Sequence, residues 1–331
     1  MQILTGDIGG THTRLSMCEL ANSQLQISSH QTFSSPAYPS LEAIIEDYTP
    51  ATTAKAAAFG VAGPVKQGVS RITNLPWEIS RQQLISQLGI HQVFLLNDLE
   101  ALAWGIASLE KAELVCLQEG AGSDAGNQAV IAAGTGLGQA GLFYDGQQHI
   151  AFATEGGHAD FCPATKLEQE LFEHLRQQYG HVSWERLVSG QGLVNLFDFI
   201  LKQNRRQAPD WRQSTDMDPA AIISRHALEG SDPHCIEALS WFVELYGREA
   251  GNLALKMNAA GGLFLGGGIA PKILPALQDS TFLRAFLDKG RMRPLLEAIR
   301  VQVICSDDVS LKGLARYAAG SELLDDFERR P

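Results

Sequence analysis

Gly6-Asp7-Ile8-Gly9-Gly10-Thr11, entered from the apolar pair Ile3-Leu4, delivers an acidic residue into a tight glycine turn. Glycines let backbone amides come close to phosphate oxygens, while Asp7 can hold the water shell of a magnesium ion and Thr11 can donate a hydroxyl. An ordinary β-hairpin turn explains the same residues. A second glycine loop, Gly134-Thr135-Gly136-Leu137-Gly138, follows the apolar run ending at Ala133 and suits a grip on phosphate from the opposite side. Within it Gly136 to Gly141 fits G-x-G-x-x-G, but Leu142-Phe143-Tyr144 continues as strand where a dinucleotide fold needs a helix. No P-loop pattern occurs. A third cluster empties the strand Leu263-Phe264-Leu265 into Gly266-Gly267-Gly268, which either lets a flat ligand such as adenine approach or makes a tight strand-helix junction.

Two polar groupings accompany these turns. Asn97-Asp98 stands where the strand Val93-Leu96 ends and a helix over Leu99-Ser108 begins. A carboxylate there points into the crevice where open α/β sheets bind ligands, and it is equally a good helix N-cap. Glu155-Gly156-Gly157-His158-Ala159-Asp160 places a carboxylate and an imidazole across two glycines, a mixture of acceptors and donors that fits a hydroxyl-rich ligand better than a metal.

The elements that must position these residues follow from pattern. Short alternating segments to about Phe33 read as an antiparallel meander. Leu41, Ile44, Ile45 and Tyr48 recur at helical spacing before a small-residue buried strand at Ala56-Val61. Ser80 with Gln83 makes a capping-box pattern and Gly89 a stop, so Arg81-Leu88 is predicted helical. Strands at Gln128-Ala133, Gly138-Tyr144 and His149-Ala153 precede helices at Leu167-Tyr179, Leu193-Lys202, Ala220-Leu228 and Cys235-Met257. Strands at Leu263-Leu265 and Val301-Ile304 and a last helix near Leu311-Ala319 complete the map. Ala121-Gly126 is the best linker candidate. A chain of 331 residues, with 45% hydrophobic residues, is expected to form two lobes with a ligand cleft between them.

A net charge of −11 argues against nucleic acid or an anionic membrane as partner. Five scattered cysteines, an odd number, suggest a reducing compartment. With no basic leader and no long apolar stretch, a soluble cytoplasmic protein is expected.

GDIGGT at Gly6, ITNLPW around Asn74, LLND ending at Asp98, GTGLG from Gly134, EGGH from Glu155, SWERLVSGQGL from Ser183 and GGLFLGGGIAP from Gly261 together resemble the bacterial glucokinases. The resemblance runs through nearly the whole chain, and the order of the motifs makes it specific. It implies the two-lobed actin-like ATPase (ribonuclease H-like) α/β fold of the hexokinases, with mixed β-sheets flanked by helices and an interlobe cleft. The small lobe would take residues 1–108 with about 300–331, and the large lobe 109–299. The implied reaction transfers the γ-phosphoryl group of ATP to the 6-hydroxyl of glucose, the entry to glycolysis. ATP binding would fall to Gly6, Asp7, Ile8, Gly9, Gly10 and Thr11 and to Gly134, Thr135 and Gly136, with Gly266, Gly267 and Gly268 near the nucleoside. Sugar binding would fall to Asn74, Asn97, Asp98, Glu155, His158 and Glu185, with Asp98 as general base. Magnesium is expected, through water at Asp7, and a homodimer is implied; the apolar stretch Leu193-Leu201 or the helix Ile236-Leu255 would serve as interface or as core.

One departure from the family is visible, since His12 follows Thr11 where relatives usually carry Asn, and it bears on phosphate or metal contact at that corner. Only Cys162 lies in the region where zinc-dependent relatives carry a cysteine cluster, so no zinc is expected. Two other readings stay open: a sugar-responsive regulator that lost catalysis, and a kinase for mannose, fructose or an N-acetylated hexose, with polyphosphate as alternative donor.

Overall fold

The computed structural model describes residues 1–21, 24–50, 54–72, 75–121, 125–213 and 218–328. Contacts divide the chain into two units, Met1–Glu110 with Ser306–Pro331, and Lys111–Cys305. The second boundary falls after Cys305, because the strand Val301–Ile304 is hydrogen-bonded into the sheet of the second unit.

In the first unit the predicted meander forms: β1 (Gln2–Ile8), β2 (His12–Ala21) and β3 (Gln24–Ser34) pair antiparallel in sequence order. Helix α1 (Leu41–Asp47) leads to β4 (Ala56–Val61), which pairs parallel with β1. A separate hairpin of β5 (Val69–Arg71) and β6 (Glu78–Ser80) precedes α2 (Arg81–Leu88), β7 (Val93–Asn97) and α3 (Asp98–Gly105). The five-stranded sheet therefore runs β3-β2-β1-β4-β7. Every residue of β4 is buried, as a strand covered on both faces requires. Leu41 and Ile44 of α1 and Leu84 of α2 pack with Leu4, Ile8 and Phe59 on one face. On the other face Leu314, Ala315 and Ala318 of the C-terminal helix (Val309–Glu328) pack with Ile3, Ala56 and Ala58.

Two local expectations are corrected here. Ser80 makes no side-chain cap bond to α2; it closes β6, paired with Val69, and the Arg81 N–H donates to the Gly68 carbonyl at 2.9 Å. The helix after Asp98 ends at Gly105 and continues only as a 3₁₀ turn over Ile106–Ser108.

The second unit begins with β8 (Leu114–Gln118), which the sequence pattern does not announce. The antiparallel strands β9 (Gln128–Ala133), β10 (Leu137–Tyr144) and β11 (His149–Thr154) follow, then α4 (Lys166–Tyr179), α5 (Gly190–Gln203), α6 (Pro219–Leu228) and α7 (Pro233–Met257). Strand β12 (Gly262–Gly266), short helices α8 (Leu274–Leu277), α9 (Ser280–Leu287) and α10 (Arg293–Glu297) and β13 (Val301–Ile304) complete it. The six-stranded sheet runs β11-β10-β9-β12-β13-β8, with β9, β12 and β13 mutually parallel. Asp218 caps α6 through the Ala220 N–H with Pro219 at its first position, and Gly180 closes α4, as the sequence predicts. Helix α5 starts before Leu193 because Ser189 Oγ accepts from the Gly192 N–H at 3.0 Å. Its apolar run from Leu193 to Leu201 belongs to the core of this unit and is not a surface for a partner. Helix α7 lies on the sheet, where Tyr246 Oη donates to the Ile131 carbonyl at 3.2 Å. Of the linker candidate Ala121-Gly126, residues 122–124 lie outside the described residues. Among the described residues no helix is long and apolar enough to cross a membrane.

Candidate active site

Ile8, Val61 and Asn97 are register partners across β1, β4 and β7, so the first glycine turn and Asn97-Asp98 leave the first sheet at one edge. With strands about 4.8 Å apart, the Asn97 backbone lies roughly 10 Å from that of Ile8. The turn itself is pinned from behind by the buried Ser35, whose Oγ donates to the Gly9 carbonyl at 2.8 Å and whose N–H donates to the Thr11 carbonyl at 3.0 Å. A trans peptide sets the next N–H antiparallel to the carbonyl, so the Gly10 and His12 amides point away from Ser35. That is the arrangement an anion needs.

Gly6 is buried beneath this turn, and a Cβ there would meet Phe59 Cδ1 at 2.6 Å and Leu15 Cδ2 at 2.8 Å. Its lack of a side chain therefore serves the core. Asp7 faces Arg14 across the β1–β2 ladder and forms an ion pair with it. Arg14 Nη1 also donates to the Asp307 carbonyl at 2.8 Å. Burial works to lower the Arg14 pKa, but Asp7, with Asp307 and Asp308 behind it, raises it on balance, so the guanidinium stays charged. Sequence reasoning missed Arg14, although the hairpin register that pairs Ile8 with Thr13 also pairs Asp7 with Arg14.

Asn97, and not Asp98, caps α3: its Oδ1 accepts from the Leu99 N–H at 3.0 Å and the Glu100 N–H at 3.4 Å. Its Nδ2 donates to the Gly63 carbonyl at 3.3 Å. Asp98 is then the first helical residue, and its Oδ1 accepts from the Leu99 N–H at 2.9 Å. A carboxylate at that position lies at the positive end of the helix.

In the second unit, register again collects the motifs at one sheet edge. Leu137 pairs with Ala133, Gln139 with Thr154, and Ala132 with Gly266, so the turns after β9, β11 and β12 all leave on the same side. The Gly134 carbonyl accepts from the Gly190 N–H at 2.8 Å, which ties the loop to the start of α5 and points the Thr135 N–H the other way. Glu185 Oε2 accepts from the Leu137 N–H at 3.0 Å, and a Cβ on Gly136 would meet that same oxygen at 2.5 Å. Glu185 thus holds the glycine loop with one oxygen. Gly267 has φ +79°, and a Cβ on it would lie 2.4 Å from the Ala133 carbonyl oxygen, so this position admits only glycine. The Ile269 N–H donates to that carbonyl at 3.1 Å, which makes the third cluster a tight junction in its own right.

Glu155 and His158 are exposed on a 3₁₀ turn after β11, closed by the His158 N–H on the Glu155 carbonyl at 3.0 Å. Asp160 leaves this grouping, since its Oδ1 meets His181 Nε2 at 2.7 Å. Asn74 lies outside the described residues. The structure therefore brings Gly9 to Thr11, Asn97 and Asp98 to one edge in the first unit. It brings Gly134 to Gly136, Glu155, Glu185 and Gly267 to one edge in the second.

The family model described as Glucokinase matches residues 4–321. A glucokinase of Nostoc sp. is 40% identical over 338 residues, covering 96% of this chain and 98% of the relative. Among solved structures, a glucokinase from an Antarctic psychrotroph superposes with a TM-score of 0.83 at 32% identity, over 96% of this chain and 99% of its own. A ROK family glucokinase from Streptomyces griseus in complex with glucose and AMPPNP shares the fold, with a TM-score of 0.68 at 21% identity over 97% of this chain and 100% of its own.

Proposed function

The chain belongs to the glucokinase family, and on that premise we propose how its residues transfer the γ-phosphoryl group of ATP to the 6-hydroxyl of glucose. Both units are those of the actin-like ATPase fold, and the enzyme is an ATP-dependent hexose kinase. Phosphoryl transfer needs an oriented nucleophile, an in-line approach and neutralised charge on the group in transit. Asp98 orients the 6-hydroxyl and takes its proton as the oxygen attacks phosphorus. The observation that carries this assignment is the Asp98 carboxylate at the head of α3, on the sheet edge that also bears the Gly9-Thr11 turn.

Asn97 spends its oxygen on the helix cap, so toward sugar it offers only its Nδ2 group. Glu155 and His158 read ring hydroxyls from their exposed turn, and Glu185 does so with the carboxylate oxygen that does not hold Leu137. Selectivity follows because a polar group left unmatched against a bound sugar is costly. The Gly10 and His12 amides and the Thr11 hydroxyl meet the phosphates, as do the amide and hydroxyl of Thr135. Gly267 and Gly268 lie near the nucleoside. Magnesium fits through water at Asp7, since Arg14 takes Oδ2 and one remaining carboxylate oxygen suffices for an ion that keeps its water shell. When bound, the ion neutralises charge on the transferring phosphates. A cytoplasmic location and assembly as a homodimer belong to the same reading.

Purified protein with ATP, Mg²⁺ and a hexose panel tests it. Equal amounts of glucose 6-phosphate and ADP are expected, with the highest kcat/KM for glucose over mannose, fructose and N-acetylated hexoses and with no turnover of polyphosphate. Glucose binding without ADP production would instead favour a regulator, and light scattering reads the dimer.

A further inference from the structure

Glu249 is a fully buried carboxylate on α7 that the proposed reaction does not use. Both its oxygens are held: Oε1 accepts from Gln139 Nε2 at 2.8 Å, and Oε2 accepts from Asn252 Nδ2 at 2.9 Å. An ionised carboxylate can only accept, so it forces Gln139 to present its NH₂ group to the helix and its carbonyl oxygen to the other side. On that other side stands the turn after β11. A Cβ on Gly156 would lie 2.1 Å from Gln139 Oε1, so this oxygen is the floor beneath Gly156. The Gln139 main chain adds a second hold, because Thr154 Oγ1 donates to its carbonyl at 3.0 Å and accepts from the Gly156 N–H at 3.2 Å. Gln139 itself is 1% exposed, so neither partner has water as an alternative.

We infer that Glu249 is a positioning residue which, through Gln139, fixes the turn that carries Glu155 and His158 and so sets the affinity for sugar. The inference rests on the assignment of Glu155 and His158 to sugar hydroxyls. Burial raises the Glu249 pKa, opposed by the Asn252 and Gln139 amides and by Lys256 and Lys289. A turn displaced by part of an ångström weakens every hydrogen bond it offers, and misplacements of that size cost up to about a hundredfold in enzymes.

The test uses the intact enzyme. In Glu249→Gln the new amide cannot accept from both neighbours through both its atoms, so one of the two bonds is lost. Glucose Kd by calorimetry and glucose KM are expected to rise about five- to twentyfold, while kcat changes less than about threefold and the Kd for ADP stays within about twofold. The double replacement Gln139→Met with Glu249→Met keeps the volume, removes both members of the buried Gln139–Glu249 pair together and frees only the half-buried Asn252 amide, which guards against misfolding. It should weaken glucose to a similar degree. Combined with Glu155→Gln, Glu249→Gln should add less than its separate effect, because both act through one turn. Hydrogen exchange gives a readout without ligand: the His158 and Ala159 amides, bonded to Glu155 and Gly156, should exchange faster in both variants. Glucose affinity within about twofold of wild type in both variants, or unchanged exchange at these amides, would overturn the inference. Faster exchange in a protein that does not bind glucose at all would uphold the positioning and overturn the functional reading instead.

Discussion

Replacing Asp98 by Asn separates a base from a structural carboxylate, because almost everything else about the position is kept. The Asn oxygen can still accept from the Leu99 N–H, and the two cap bonds of α3 come from Asn97 and are untouched. What α3 itself loses is one negative charge at its N-terminus, worth about 0.3–1 kcal/mol. For a chain of this size that is at most a few degrees in Tm. In catalytic terms the proton acceptor disappears, which removes about 10²- to 10⁴-fold from kcat. Exchange of a charge-assisted bond to the 6-hydroxyl for a neutral one takes roughly 1 kcal/mol from ground-state binding, about fivefold in glucose Kd. The expected signature is thus a large fall in kcat with a small change in affinity and stability. A coupled assay for ADP at saturating glucose, calorimetry with glucose and a thermal scan measure the three quantities on one preparation. If turnover stays within about tenfold of wild type, the base lies elsewhere and Asp98 only shapes the start of α3.

Glu155→Gln exchanges a charge-assisted bond for a neutral one and should weaken glucose binding about fivefold, and His158→Ala removes a hydrogen bond worth roughly 0.5–1.5 kcal/mol and should weaken it about two- to tenfold; unchanged calorimetric affinity would remove both from the sugar site. Gly267→Ala forces a left-handed conformation at φ +79° and drives a Cβ against the Ala133 carbonyl. It should cost more than about 2 kcal/mol in urea unfolding, and stability equal to wild type would show that the junction can yield. Burial first, then Arg248, lowers the Lys289 pKa to about 8, against the pull of Glu249 and Asp288. Between about pH 8 and about pH 10.4 the folded protein has lost a proton that the unfolded chain keeps, so this lysine makes stability rise with pH in that window. Lys289→Met should abolish that rise, and parallel stability profiles for the two proteins would refute the assignment.

The sequence by itself determined whatever depends on neighbours a few positions away. Asp218 with Pro219 starts α6, Gly180 and Gly89 stop α4 and α2, and the run Ala56–Val61 is a strand buried on both faces. Capping, helical spacing and turn chemistry act within about four residues, so they are written in the order of residues. The glycine turns, Asn97-Asp98 and the Glu155-His158 turn were legible for a related reason: each is a strand end joined to a turn. Tertiary structure decided what those residues touch. Ser80 is paired with Val69 in the β5–β6 hairpin and makes no cap bond, and Asn97 took the cap that Asp98 could have made. Gly6 is glycine for Phe59 and Leu15, from other strands of its sheet. Glu185 sits under a loop 48 residues before it, and Glu249 reaches Gln139 across 110 residues. Such partners are set by the order in which strands join a sheet and by the helix that covers it, and parallel neighbours such as β9 and β12 lie far apart in the chain. No local pattern carries that order, since its free energy comes from burial shared over the whole unit.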